Sequence, residues 1–179
     1  DALAIYEFIG DREGFSTTLN NIGLIFGKLG QYDQALRYYR DSLPIFQELG
    51  DRAGEGVALH NIGAAYDQRG EYEQALAYYR ESLAIRRAIG DRAGEGSTLS
   101  NIGTVHRQLG QYDTALDAYE QALAIRQAVG DRRGNAITLA NLGYVLEALD
   151  YPELAIVFFK QAVNQYEAIR GDIRGLDIE

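Results

Sequence analysis

The sequence contains no cysteine. That removes disulfides, thiolate metal ligands and cysteine nucleophiles together. It leaves the compartment open, with the cytoplasm as the default expectation. Only 2 prolines occur in 179 residues, which argues against a turn-rich all-β protein, while abundant Ala, Leu, Arg, Gln and Glu favour helices. The only histidines, His60 and His106, are far apart and form no His-x-x-x-His or Glu-x-x-His pair, so neither a metal site nor a cofactor is expected. Long apolar runs are also missing. The longest, Leu154 to Phe159, falls far short of the roughly 20 residues that cross a bilayer, and no membrane partner is expected. Basic residues are outnumbered, 17 Lys and Arg against 26 Asp and Glu for a net charge of −9. No basic cluster is present, which opposes nucleic-acid binding. The chain begins at Asp1 and contains no methionine, so it is expected to be part of something longer.

What is present is a period of forty. Gly10, Gly50, Gly90 and Gly130 are each followed by Asp-Arg and, two residues further on, by Gly14, Gly54, Gly94 and Gly134. A period of this length points to a repeat architecture. The segments are 10–49, 50–89, 90–129 and 130–169, with 1–9 reading as the end of an earlier repeat's second helix and 170–179 as the start of a truncated following segment.

Each repeat carries two stretches of helical spacing, such as Leu59, Ile62, Gly63 and Tyr66, then Tyr72, Ala75, Leu76, Tyr79 and Leu83. In the second repeat the helices are expected at about 52–69 and 72–89. Gly70 is expected to stop the first helix in a left-handed conformation, and Gly50 with Asp51 to form a stop-and-start pair. Small residues recur where bulk is expected, Gly23, Gly63, Gly103 and Gly143 on first helices and Ala35, Ala75, Ala115 and Ala155 on second helices. A mid-helix glycine costs about 1 kcal/mol relative to alanine, and a close helix crossing would offset it. Tyr39 and Tyr79 are expected in the core, Tyr38 and Tyr78 at the interface between repeats, and His106 as a core substitute for Tyr66.

The set Leu59, Ile62, Gly63, Tyr66, Gly70, Tyr72, Ala75, Tyr79 and Ser82 resembles the tetratricopeptide (TPR) signature. The usual unit of that family is shorter and carries a proline after its second helix. These forty-residue repeats look more like the long-repeat subclass of kinesin light chains and the G-protein-signalling modulators with Leu-Gly-Asn repeats. Residues 151–176 are also similar to the last repeats of bacterial TPR proteins with a C-terminal CHAT peptidase domain; the cysteine nucleophile of such a domain is absent here. The resemblance implies an all-α fold, a right-handed superhelical α-solenoid in which first helices line the concave side.

The concave face is therefore where a ligand is expected. Asn21, Asn61, Asn101 and Asn141 fall opposite the core face of their helices. An asparagine amide can pair with both the N–H and the C=O of one peptide unit, and the TPR resemblance implies a ladder of such amides along an extended peptide. The competing reading is that each amide bonds only to the neighbouring helix. Around the ladder lie positions that vary between repeats: Asn20, His60, Ser100 and Ala140; Leu24, Ala64, Thr104 and Tyr144; Lys28, Gln68, Gln108 and Ala148. Variation within a fixed template suits a non-repeating ligand. The basic residues of the TPR class that clamps acidic chaperone tails are missing from these positions.

No nucleophile, base or metal cluster converges, so an enzyme is not expected. The expected role is a scaffold for a protein or extended-peptide partner. Two alternatives are a structural module whose ends stack into end-to-end self-association and a regulatory domain of a larger protein. The net charge of −9 is spread, with −1, −1, −2 and −2 over the four repeats. A groove ligand of low or modestly positive charge fits that distribution.

Overall fold

The computed structural model describes residues 2–176, and the side chains of residues 5–172. Two compact units divide the chain, Asp1–Asp91 and Arg92–Glu179. The first contains α1 (Ala2–Ile9), α2 (Arg12–Lys28), α3 (Tyr32–Leu49), α4 (Arg52–Gln68) and α5 (Tyr72–Ile89). The second contains α6 (Arg92–Gln108), α7 (Tyr112–Ala128), α8 (Arg132–Ala148) and α9 (Pro152–Leu176). Among the described residues every regular element is a helix.

Punctuation places these helices. Gly50 ends α3 with φ 69, and the next residue, Asp51, caps α4 by accepting a hydrogen bond on Oδ1 from Gly54 N at 2.9 Å. A left-handed residue costs glycine no Cβ clash, and the carboxylate satisfies an otherwise orphaned N–H. The same cap joins Asp11 to Gly14 at 2.9 Å and Asp131 to Gly134 at 2.8 Å. Gly70, with φ 75, separates α4 from α5 as its place in the sequence predicts. Before α9 the glycine is replaced by Asp150, which takes the left-handed conformation with φ 64.

Within a repeat the two helices meet at the predicted glycines. A Cβ on Gly63 would stand 2.8 Å from Cδ1 of Tyr79, a fully buried ring, and one on Gly143 would stand 2.7 Å from Cε1 of Phe159. The glycine therefore faces the aromatic ring four residues beyond the small alanine. Ala35, Ala75, Ala115 and Ala155 are themselves buried. In the second unit Ala115, Tyr119, Leu142 and Val145 form a continuous core.

One expectation gains detail and another changes. Tyr38 and Tyr78 each stack on a ring of their own helix pair, Tyr38 on Phe26 at 5.4 Å and Tyr78 on Tyr66 at 5.5 Å. Residues 170–176 do not begin a new element, because α9 continues through Gly171 to Leu176. The template glycine is displaced by Arg170, and no described residue beyond Asp150 has a positive φ to stop the helix. Residues 177–179 of that segment lie outside the described residues, as does Asp1 of the leading segment; the rest of 1–9 is α1, packed on α2.

Candidate binding surface

In the first unit α2 and α4 lie side by side, with α3 between them in sequence. Their shared face opens into a pocket of about 350 Å³, and among its lining residues are Leu24, Lys28, Asn61, Ala64 and Gln68. These are five of the variable and ladder positions read from the sequence. Leu24 is 40% exposed and Lys28 and Gln68 are exposed, so the pocket is open to a ligand. Tyr39 also contributes to its wall. Burial pushes the Tyr39 phenol up to about 12, which keeps it a neutral hydrogen-bonding group.

The asparagines behave differently from one another. Asn21 is exposed, whereas Asn61 is half-buried and donates from Nδ2 to Asn20 Oδ1 at 3.2 Å. One donor of Asn61 thus ties α4 to α2. The bond leaves its second N–H and its carbonyl oxygen outside that pair. Asn20, read from the sequence as facing the groove, is only 7% exposed and serves this inter-helix bond. His60 is half-buried, with its ring 5.4 Å from that of Tyr79. Desolvation, and secondarily the Arg86 guanidinium, pull its pKa down to about 4, so it is a neutral imidazole near pH 7.

In the second unit Asn101 and Asn141 are half-buried and Gln108 is exposed. Ser100 is 3% exposed and turned into the core. Thr104 donates from Oγ1 to the Ser100 carbonyl at 3.1 Å, and its hydroxyl is 3.0 Å from that of Tyr119. Tyr144 is 52% exposed with its ring edge-on to Phe159 at 5.0 Å, and Ala148 is also exposed. His106 is buried and its Nδ1 meets Gln111 Oε1 at 2.6 Å, the core role expected of it.

Sequence reasoning missed Gly27, Tyr32 and Tyr39 as walls of the first-unit pocket. Gly27 was visible as a departure from the template, since Asp67, Arg107 and Glu147 occupy its place in the other repeats. Its missing side chain leaves room, the nearest atom to an added Cβ being Tyr39 Oη at 3.5 Å.

The helix pairs, their period and the small-residue crossings agree with a family model described as Tetratricopeptide repeat, which matches residues 14–88 and 94–168. The chain is a tetratricopeptide-repeat protein. It is similar in fold to BtubC (BKLC) from P. vanneervenii, with a TM-score of 0.80, 24% identity, and coverage of 89% of this chain and 66% of that one. It is similar also to the apo form of RapI, with a TM-score of 0.81, 19% identity, and coverage of 87% of this chain and 57% of that one. A third similar structure is MamA, with a TM-score of 0.69, 18% identity, and coverage of 96% and 98%. The chain thus spans less than two thirds of the length of the first two. No curated protein matches the sequence. The tetratricopeptide repeat is a protein-interaction scaffold, and that is the general role of this TPR chain. Among the described residues no helix is long and apolar enough to cross a membrane.

Proposed function

We propose that this TPR chain binds an extended peptide segment along the first helices of repeats 10–49, 50–89, 90–129 and 130–169. The observation that carries the reading is the pocket between α2 and α4, where Leu24, Lys28, Asn61, Ala64 and Gln68 converge. Amides and one lysine around an apolar floor suit a neutral backbone with small apolar side chains, held by hydrogen bonds rather than by charge pairing. Asn21, Asn101 and Asn141 would extend the ladder. His60, Thr104, Tyr144 and Gln108 would set side-chain preference. The forty-residue period supports placing the chain with the long-repeat subclass. The similarity to CHAT-linked repeats rests on one segment and would make the chain a regulatory domain.

A displayed random-peptide library, selected on the chain and followed by calorimetric titration of an enriched peptide, tests this. Asn61→Ala should weaken such a peptide by about tenfold, the effect of losing one or two buried hydrogen bonds. Unchanged affinity would overturn the ladder. The same variant removes the donor to buried Asn20, so a stability loss of about 1 kcal/mol should accompany it.

A second reading is favoured by apolar surface on α1 and α9. Phe8 is 91% exposed on α1 and Val163 54% exposed on α9. Exposed apolar surface on these two helices suits association of copies. Light scattering at two concentrations decides it, with a constant monomeric mass as the contrary result.

A further inference from the structure

Where α7 ends and α8 begins, the second unit places a buried arginine beside one departure from the repeat template. Position 126 is an arginine, as is Arg86 one repeat earlier, which pairs with Asp91 at 2.8 Å, and position 135 is an asparagine where Glu55 and Glu95 stand in the two preceding repeats. Those glutamates are buried and each binds the arginine of its own first turn at 2.5 Å, Glu55 with Arg52 and Glu95 with Arg92. With an amide at 135 that clamp is lost, and Arg132 reaches instead to Asp172 on α9.

Arg126 is left with little compensation. It is 7% exposed. Its Nη1 donates to the Gly134 carbonyl and, at 3.1 Å, to Thr138 Oγ1. The carboxylate paired with it, Asp131, is 3.8 Å from Nε, and Asp131 Oδ1 already accepts from Gly134 N. A buried guanidinium is costly unless paired and fully hydrogen-bonded. Gly134 makes the placement sterically feasible, because a Cβ there would stand 2.6 Å from Arg126 Nη1. Burial draws the Arg126 pKa downward, with Asp131 opposing.

Beside this guanidinium is a cavity of about 450 Å³ whose walls include Arg126, Arg132, Asn135, Asn164 and Gln165 and, among the described residues, no carboxylate. Two arginines in one lining contrast with the net charge of −9. Asn135 is 8% exposed, and its Oδ1 has no hydrogen-bond partner among the described residues. Amide oxygen and nitrogen exchange places by rotation about the terminal torsion, so this side chain can offer either group to a ligand.

We propose that this cavity is a second binding site, separate from the groove, which takes a carboxylate-bearing peptide segment. The carboxylate supplies the charge Arg126 lacks, in the forked geometry that guanidinium matches best. Arg132 is exposed and can exchange Asp172 for the ligand. The amides of Asn135, Asn164 and Gln165 serve the peptide N–H and C=O groups beside it. The cavity is much larger than one carboxylate, which favours a peptide over a free ion.

The test is an NMR titration of the TPR chain with three probes: acetylated and amidated Gly-Glu-Glu-Gly, its Gly-Gln-Gln-Gly counterpart, and inorganic phosphate. The glutamate peptide should give saturable shifts at the Gly134 amide and the Asn135 side chain, and bind at least about tenfold more tightly than the glutamine peptide. Arg126→Gln should abolish binding but also removes two internal hydrogen bonds. Asn135→Glu avoids that difficulty, since it installs the residue found at 55 and 95; it should leave the melting temperature within a few degrees and weaken the glutamate peptide by at least about tenfold. Equal binding of the two peptides, no saturable shift at these positions, or an unchanged affinity in Asn135→Glu would overturn the proposal. Tighter binding of phosphate than of the glutamate peptide would overturn the choice of a carboxylate.

Discussion

Replacing one glycine by alanine should have opposite effects at two positions of the same unit. At Gly63 the new Cβ would lie 2.8, 2.9 and 3.1 Å from Cδ1, Cε1 and Cγ of Tyr79. Ordinary carbon contacts begin near 3.5 Å, so the ring must retreat by roughly half an ångström. Tyr79 is fully buried, and overpacking of this kind costs about 1 to 3 kcal/mol. The helix gains about 1 kcal/mol from exchanging glycine for alanine. The net expectation for Gly63→Ala is a loss of about 1 kcal/mol. At Gly27 the nearest atoms to an added Cβ are Tyr39 Oη at 3.5 Å and Ala35 Cβ at 3.9 Å, so nothing needs to move. Gly27→Ala should therefore keep the helical gain and stabilise by about 0.5 to 1 kcal/mol. The two variants should be separated by about 2 kcal/mol, or several degrees in melting temperature. Urea titration followed by circular dichroism measures both. Equal midpoints would refute the claim that the aromatic ring, rather than glycine's backbone freedom, decides the first position.

Three further expectations use the same geometry. Ala75→Leu, at a fully buried site, should destabilise by about 1 to 3 kcal/mol, while Ala77→Leu on the exposed side of α5 should change stability by less than about 0.5 kcal/mol; thermal melts showing equal losses would reverse the assigned faces. Because the folded-state pKa of His60 is drawn from 6.5 to about 4, its contribution is complete above pH 6.5 and is lost as pH falls through 4. Wild type should lose up to about 3 kcal/mol over that interval that His60→Gln retains, and urea midpoints at pH 7 and pH 4 compare them. Binding of a groove peptide should change less than about tenfold between 50 and 500 mM salt, since amide hydrogen bonds are screened weakly; calorimetry showing a loss of several orders of magnitude would assign the affinity to charge pairs.

The template made the helices legible in detail. For α4 and α5 the spacing predicts 52–69 and 72–89, and the observed bounds are Arg52–Gln68 and Tyr72–Ile89. What the pattern could not resolve is rotation about a helix axis. Asn20 and Asn21 are one residue apart, yet one is buried against α4 and the other exposed. A step of one residue turns the side chain by about 100°, and periodicity alone does not orient a position at the edge of the buried stripe. The stacking of Tyr38 was hidden for a related reason. Its partner ring, Phe26, lies on the other helix of the pair, and spacing along one helix carries no record of it. The cavity at Arg126 was hidden by the recurring Gly-Asp-Arg junction, which reads the same in every repeat although the asparagine at 135 removes the negative charge that Glu55 and Glu95 carry.

The contact pattern also bears on how the chain folds. Within each unit, helices touch their immediate successors, and α2 with α4 and α6 with α8 are the contacts that skip one helix. Every partner is thus at most a few tens of residues away along the chain. Little loop entropy has to be spent before a contact forms, and topologies of such low contact order fold within microseconds to milliseconds. Nucleation needs no particular terminus, since any adjacent helix pair can serve as the seed and its neighbours can add in either direction. A TPR chain of this kind emerging from the ribosome could begin to fold as soon as its first helix pair is clear of the exit.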